Sequence, residues 1–160
     1  MIQPAEARVL LATGRFAAFR AAQASEHFTW GELTTKRTDA QLTILSQLPA
    51  YMANLAETAK GLETIRAYLG GRPITITSGW RDMATQRALH KGGKGASVGF
   101  HPLGLAADFT VAGLPPATVQ RLLDLPKSVL GPQGWRGGLG YGRGFTHIDL
   151  RWLDEDWTVR

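Results

Sequence analysis

Apolar side chains recur at Val9, Leu10, Phe16, Ala17 and Phe19 within a run of helix formers from Glu6 to Gln23. That spacing predicts an amphipathic helix with Gly14 as its weak point. This N-terminal helical segment, residues 1–25, either packs on the core or serves as an arm ahead of a single body, residues 26–160. Phe28-Thr29-Trp30-Gly31-Glu32-Leu33 reads as a turn that buries its aromatics. Asp39 then has the chemistry of an N-cap. The helix it opens pauses at Pro49 and resumes through Tyr51, Leu55, Leu62, Ile65 and Leu69, a 3.6-residue period that Gly70-Gly71 ends. This long element is the expected core helix.

After Pro73 the pattern changes. Ile74-Thr75-Ile76-Thr77-Ser78 is β-branched and bounded by Gly79, so it predicts a strand, and Asp82 to His90 predicts a short helix after it. Lys91 to Ser97 is too glycine-rich for either regular state. Leu105 to Val111 predicts a second strand, Pro115-Pro116 opens a helix to about Leu125, and Gly131 to Gly144 reads as loop with a short extended piece near Leu139-Gly140-Tyr141. Phe145 to Arg151 is the last predicted strand. Helices first, then strands interleaved with short helices, predict an α+β fold. Its sheet is small and mostly antiparallel, with helices on one face and the other free to carry a site.

A length of 160 residues suits one core, and 44% apolar content with 19 Gly and 8 Pro suits a loop-rich globular chain. The absence of cysteine excludes disulfides, thiolate nucleophiles and cysteine-held metals, so a metal must rest on His, Asp or Glu. A net charge of +5 favours anionic surroundings: nucleic acid, envelope polymers or lipid headgroups. The N-terminus lacks a basic start followed by an apolar stretch, and no run of eighteen apolar residues exists, so the expectation is synthesis in the cytoplasm without a signal peptide and no membrane span.

Candidate chemistry centres on His101 and Asp108, seven apart, and on His147 and Asp149, two apart in a strand and hence on one sheet face with Phe145. An ionised Asp108 between Ala107 and Phe109 needs a cation, a metal or several donors. A His/Asp/His set with an open fourth position suits catalytic zinc. The residues equally allow His101 to cap a loop, Asp108 to pair with an arginine such as Arg81, and His147 to be a satisfied core histidine.

Ile76-Thr77-Ser78-Gly79-Trp80-Arg81, His101-x-x-Gly104-x-Ala106-x-Asp108, and Gly138-x-Gly140-Tyr141 leading to Phe145-x-His147-x-Asp149 together resemble the zinc D-Ala-D-Ala carboxypeptidase family. The wider group holds D,D-dipeptidases, phage L-Ala-D-Glu endopeptidases and the hedgehog fold. The resemblance spans roughly residues 28 to 152. It implies zinc on His101, Asp108 and His147, hydrolysis of peptidoglycan peptides, and an active-site Arg81 that binds substrate or the oxyanion. Gly99 stands where the family usually has Ser, and Gly144 where many members carry a catalytic Glu or Asp. Asp149 is therefore either the general base or a group that orients His147.

The expected function is a zinc peptidase acting on peptidoglycan stem or cross-link peptides, as a phage or prophage endolysin or a virion-associated wall-degrading enzyme. Virion or lysis-cassette partners fit that setting, and the protein would act at the wall or in the periplasm after release. A catalytically silent zinc module that binds wall or protein is the alternative, and no recognition helix or stacking array supports a nucleic-acid partner. His27 and His90 read as surface residues. Lys91, Lys94, Arg136, Arg143 and Arg151 read as a cationic rim, and Trp80, Trp135, Tyr141 and Trp152 as core or lid.

Overall fold

The β-branched run forms β1 (Ile74–Ser78), followed by β2 (Ala106–Val111), β3 (Gly138–Tyr141) and β4 (Thr146–Asp149). The computed structural model describes residues 1–93, 99–124 and 137–151, with Tyr141 described by its backbone alone. The strands form one antiparallel sheet in the order β1-β2-β4-β3. Seven helices accompany it among the described residues: α1 (Pro4–Ala12), α2 (Phe16–Ala21), α3 (Trp30–Leu33), α4 (Asp39–Ser46), α5 (Pro49–Tyr68), α6 (Met83–Lys91) and α7 (Pro116–Leu123). The fold is α+β. Ala107, Phe109, Val111 and Ile148 bury the inner sheet face against Leu11, Phe19, Trp30, Leu42, Leu55, Leu62 and Val119 from the helices.

Local chemistry explains where the elements differ from the expected ones. The predicted N-terminal helix breaks into α1 and α2 because Gly14 takes φ +71°, a region open to glycine at little cost. Both halves contribute to the main core through Ala7, Leu11 and Phe19. The next helix is capped by Thr38, not Asp39: Thr38 Oγ1 accepts from the Gln41 amide while the Gln41 side chain accepts from the Thr38 amide. Such a reciprocal pair satisfies two helix-end donors, which Asp39 inside the first turn does not. Phe28 and Trp30 are buried as expected, the latter in α3 under a second such box, Thr29 with Glu32. Leu150 lies one residue beyond β4 and joins a separate small cluster with Phe100, Leu105 and Ala106. Lys94 to Val98, and Trp135, Arg136 and Trp152, lie outside the described residues, as does the predicted end of α7 at Leu125. No helix among the described residues is long and apolar enough to cross a membrane.

Glu63 on α5 ties the segment ahead of α3 to the core helix. Its carboxylate accepts from Ser25 Oγ at 2.6 Å, from the His27 amide at 2.7 Å and from His27 Nδ1 at 2.8 Å. Burial alone would raise this carboxyl, but the three bonds outweigh it and hold the pKa below its ordinary value. A lowered carboxylate pKa stabilises the fold above the unfolded value of about 4.3, and that contribution fades as the pH falls through the folded value. Glu63→Gln is expected to cost about 2 kcal/mol in urea unfolding at pH 7. The gap to the wild type should close below about pH 4.

Candidate metal centre

Opposite the helix-covered face, Asp108 on β2 and His147 on β4 face each other in register. Asp108 Oδ1 accepts from His147 Nδ1 at 2.7 Å and lies 3.3 Å from His101 Nε2. The two imidazole rings are 5.2 Å apart between centroids. One ligand atom from each of His101, Asp108 and His147 lies within 4.8 Å of the others, so these side chains could hold a metal ion. Two imidazole nitrogens and a carboxylate oxygen match the donor set of a zinc site with an open position.

His101 is presented by a turn that glycine makes possible. Gly104 has φ +74°, and a Cβ there would sit 2.6 Å from Tyr51 O. α5 holds the turn through Thr58 Oγ1 donating to Gly104 O and Asn54 Nδ2 donating to Leu103 O, while Trp80 Nε1 donates to Pro102 O from its buried position. His101 Nδ1 lies 2.7 Å from Gly79 O. A carbonyl only accepts, so Nδ1 carries the proton and Nε2 keeps its lone pair toward Asp108.

A bulge in β1 brings Arg81 in. Ile74 and Ile76 pair with Val111 and Phe109, but the register then slips, so that Ser78 pairs with Asp108. Plain alternation would have sent Ser78 to the core side with Ile76; the extra residue re-aims it to the site face. Arg81 Nε donates to Ser78 Oγ at 3.0 Å, Nη1 to Gln86 Oε1 at 3.4 Å and Nη2 to Asp108 Oδ2 at 2.9 Å. The Arg81–Asp108 pairing and the convergence of the three candidate ligands thus coexist.

Asp149 is 2% exposed. It accepts from the Gly138 amide at 2.9 Å, from Arg151 Nε and Nη2 at 2.8 Å each and from the Arg151 amide at 3.2 Å. Its Oδ2 lies 3.5 Å from His147 Nε2. Charges therefore alternate along Arg81, Asp108, His147, Asp149 and Arg151. Burial would raise both carboxyls, but the two histidines beside Asp108, and hydrogen bonds from Arg151, His147 and Gly138 to Asp149, hold each well below the usual carboxylate range. Burial would lower His147, yet its two carboxylate neighbours raise it to about 9. Burial dominates at His101 and at Arg81 and lowers both.

The profile of the Peptidase M15 family matches residues 26–149, more than half of the chain. The chain belongs to the Peptidase M15 family. As an M15 member it is a metallopeptidase, and the match runs from the segment ahead of α3 through the last of the three cluster residues. No curated protein and no solved structure matches the chain.

His27 pairs with Glu63 and His90 is exposed on α6; neither joins the cluster of His101, Asp108 and His147. Ser78, Gly79, Gln86 and Arg151 escaped the sequence reading as parts of the site, Arg151 having been placed in the rim. Period two from His147 through Asp149 to Arg151 was the available signal for the last of these.

Proposed function

We propose that this M15 chain is a zinc peptidase that hydrolyses peptide bonds in the stem or cross-link peptides of peptidoglycan, as a D,D-carboxypeptidase or an endopeptidase. Its setting is phage or prophage lysis, or a virion-mounted wall-degrading part, with synthesis in the cytoplasm and action at the wall. The observation that carries the reading is the convergence of His101 Nε2, Asp108 Oδ1 and His147 Nδ1 on the sheet face turned away from the main core of a peptidase-family chain. The net charge of +5 supports attraction to an anionic wall.

His101, Asp108 and His147 would hold the metal. Zinc bound there supplies Lewis-acid polarisation of a carbonyl and acidification of water. Arg81 has three of its five N–H donors engaged by Ser78, Gln86 and Asp108; the other two serve a substrate carboxylate or the developing oxyanion. Asp149 anchors His147 through Nε2 and leaves Nδ1 to the metal. Four N–H donors already occupy its oxygens, so it is a poor proton acceptor. Asp149→Asn is expected to weaken zinc retention about ten- to a hundredfold, with activity restored by excess zinc. A general base at Asp149 would instead give about a hundredfold loss of turnover at unchanged zinc affinity.

Intact sacculi incubated with the purified chain are expected to yield muropeptides identifiable by mass spectrometry. One feature favours a second reading, a silent zinc module: Gly144 sits where many relatives place a carboxylate. Zinc binding with sacculus binding and no release of muropeptides would establish that alternative.

A further inference from the structure

Phe145 stands beside the metal cluster and takes no part in it. The β3–β4 register pairs Gly138 with Asp149, Gly140 with His147 and Tyr141 with Thr146. Continued by one position, it sets Gly142 opposite Phe145 across a two-residue connection, Arg143-Gly144. A Cβ on Gly138 would meet Asp149 Oδ2 at 2.1 Å, one on Gly140 would meet His147 Cβ at 2.8 Å, and one on Gly142 would meet the Phe145 ring at 2.9 Å. Phe145, His147 and Asp149 therefore form one row of side chains, and the Phe145 ring lies on the bare backbone of Gly142. From the core, Gln120 on α7 pins the same hairpin end: its Nε2 donates to Gly142 O and to Phe145 O, 3.1 Å each, and the residue is 6% exposed. The ring is thus fixed by neighbours on one side, yet Phe145 remains 37% exposed. It lies about 6.6 Å along the strand from His147, within the reach of a residue next to one bound at the cluster.

We propose that Phe145 is a specificity-determining residue whose ring receives the apolar side chain of the peptide residue adjoining the cleaved bond. This rests on the peptidase reading. A rigid, half-exposed aromatic face gains from covering an alkyl group and pays little ordering entropy for it.

The test takes the bond that the wild-type chain cuts in sacculi and places it in synthetic peptides with leucine, alanine or glycine as its neighbour. Phe145→Ala is expected to raise KM about tenfold for the leucine and alanine peptides. Its kcat should change less than about twofold, the glycine peptide should be cut as by wild type, and zinc content should be unchanged. Phe145→Tyr should keep the wild-type order, and Phe145→Leu, which retains bulk over Gly142, should lose about threefold. An equal loss on all three peptides, the result of a merely structural ring, overturns the assignment, as does no loss on any; the peptidase reading survives both. A wild-type chain that cuts nothing in sacculi overturns the peptidase reading and this inference with it.

Discussion

Asp108→Ala is expected to lose bound metal, to lose muropeptide release, and to unfold in urea with about 3–5 kcal/mol less stability than the wild type. The carboxylate is the central anion of the row, accepting from Arg81 and from His147 and lying 3.3 Å from His101 Nε2. Its removal leaves a guanidinium with 14% side-chain exposure and a histidine with 26% facing no counter-charge on that side. Breaking one partner out of a buried pair costs more than the pair contributes, because the remaining charge stays desolvated. Elemental analysis and urea unfolding read the two effects separately. A variant that keeps wild-type zinc and stability would mean that Asp108 is peripheral.

The second large effect belongs to a glycine. Gly79→Ala would place a Cβ 1.9 Å from Leu33 O and 2.6 Å from Leu33 C. Both are backbone atoms, so no side-chain rotation relieves the overlap, and β1 must move away from α3. The Trp80 amide donates to the same Leu33 carbonyl at 2.9 Å, and Gly79 O holds His101 Nδ1. A shift large enough to admit one methyl strains both bonds. The expected outcome is a loss of about 3 kcal/mol. Zinc should also be held at least about tenfold more weakly, measured by chelator competition on the folded fraction. Wild-type zinc affinity in a destabilised Gly79→Ala would separate the packing role of Gly79 from the orientation of His101.

Local signals carried much of the fold. β1 and β2 were legible because β-branched or apolar runs sit between glycines and prolines, and α5 because its apolar period holds from Tyr51 to Leu69. The cap at Thr38 was missed because Asp39 is an equally good cap by type; Gln41 three residues on was the distinguishing mark. β3 was legible only as a short extended piece near Leu139-Gly140-Tyr141 within a loop, because glycine in a strand usually marks a break. Here Gly138 and Gly140 are strand residues whose missing side chains make room for Asp149 and His147. The bonds of Glu63 to Ser25 and His27 left no trace in the sequence, since they span 36 to 38 residues with no periodic pattern.

At the site, sequence spacing brought forward His101, Asp108 and His147, and the structure draws them together. The pairing of Arg81 with Asp108 had stood as the competing account of the same residues; a carboxylate with two oxygens accommodates both, Oδ2 for Arg81 and Oδ1 for the histidines. Spacing could not reveal the β1 bulge that turns Ser78 toward Arg81, because a one-residue slip depends on pairing with a distant strand.

The most direct measurement is a zinc titration of chelator-stripped protein in the presence of intact sacculi, with muropeptide release followed by mass spectrometry. Release is expected to be absent without metal, to rise with added zinc and to level off at about one equivalent per chain. The His101→Ala/His147→Ala double variant should show none at that level. Release that persists in stripped protein, or a double variant that binds zinc and releases muropeptides as the wild type does, would contradict the assignment of the cluster as the metal centre of a peptidoglycan peptidase.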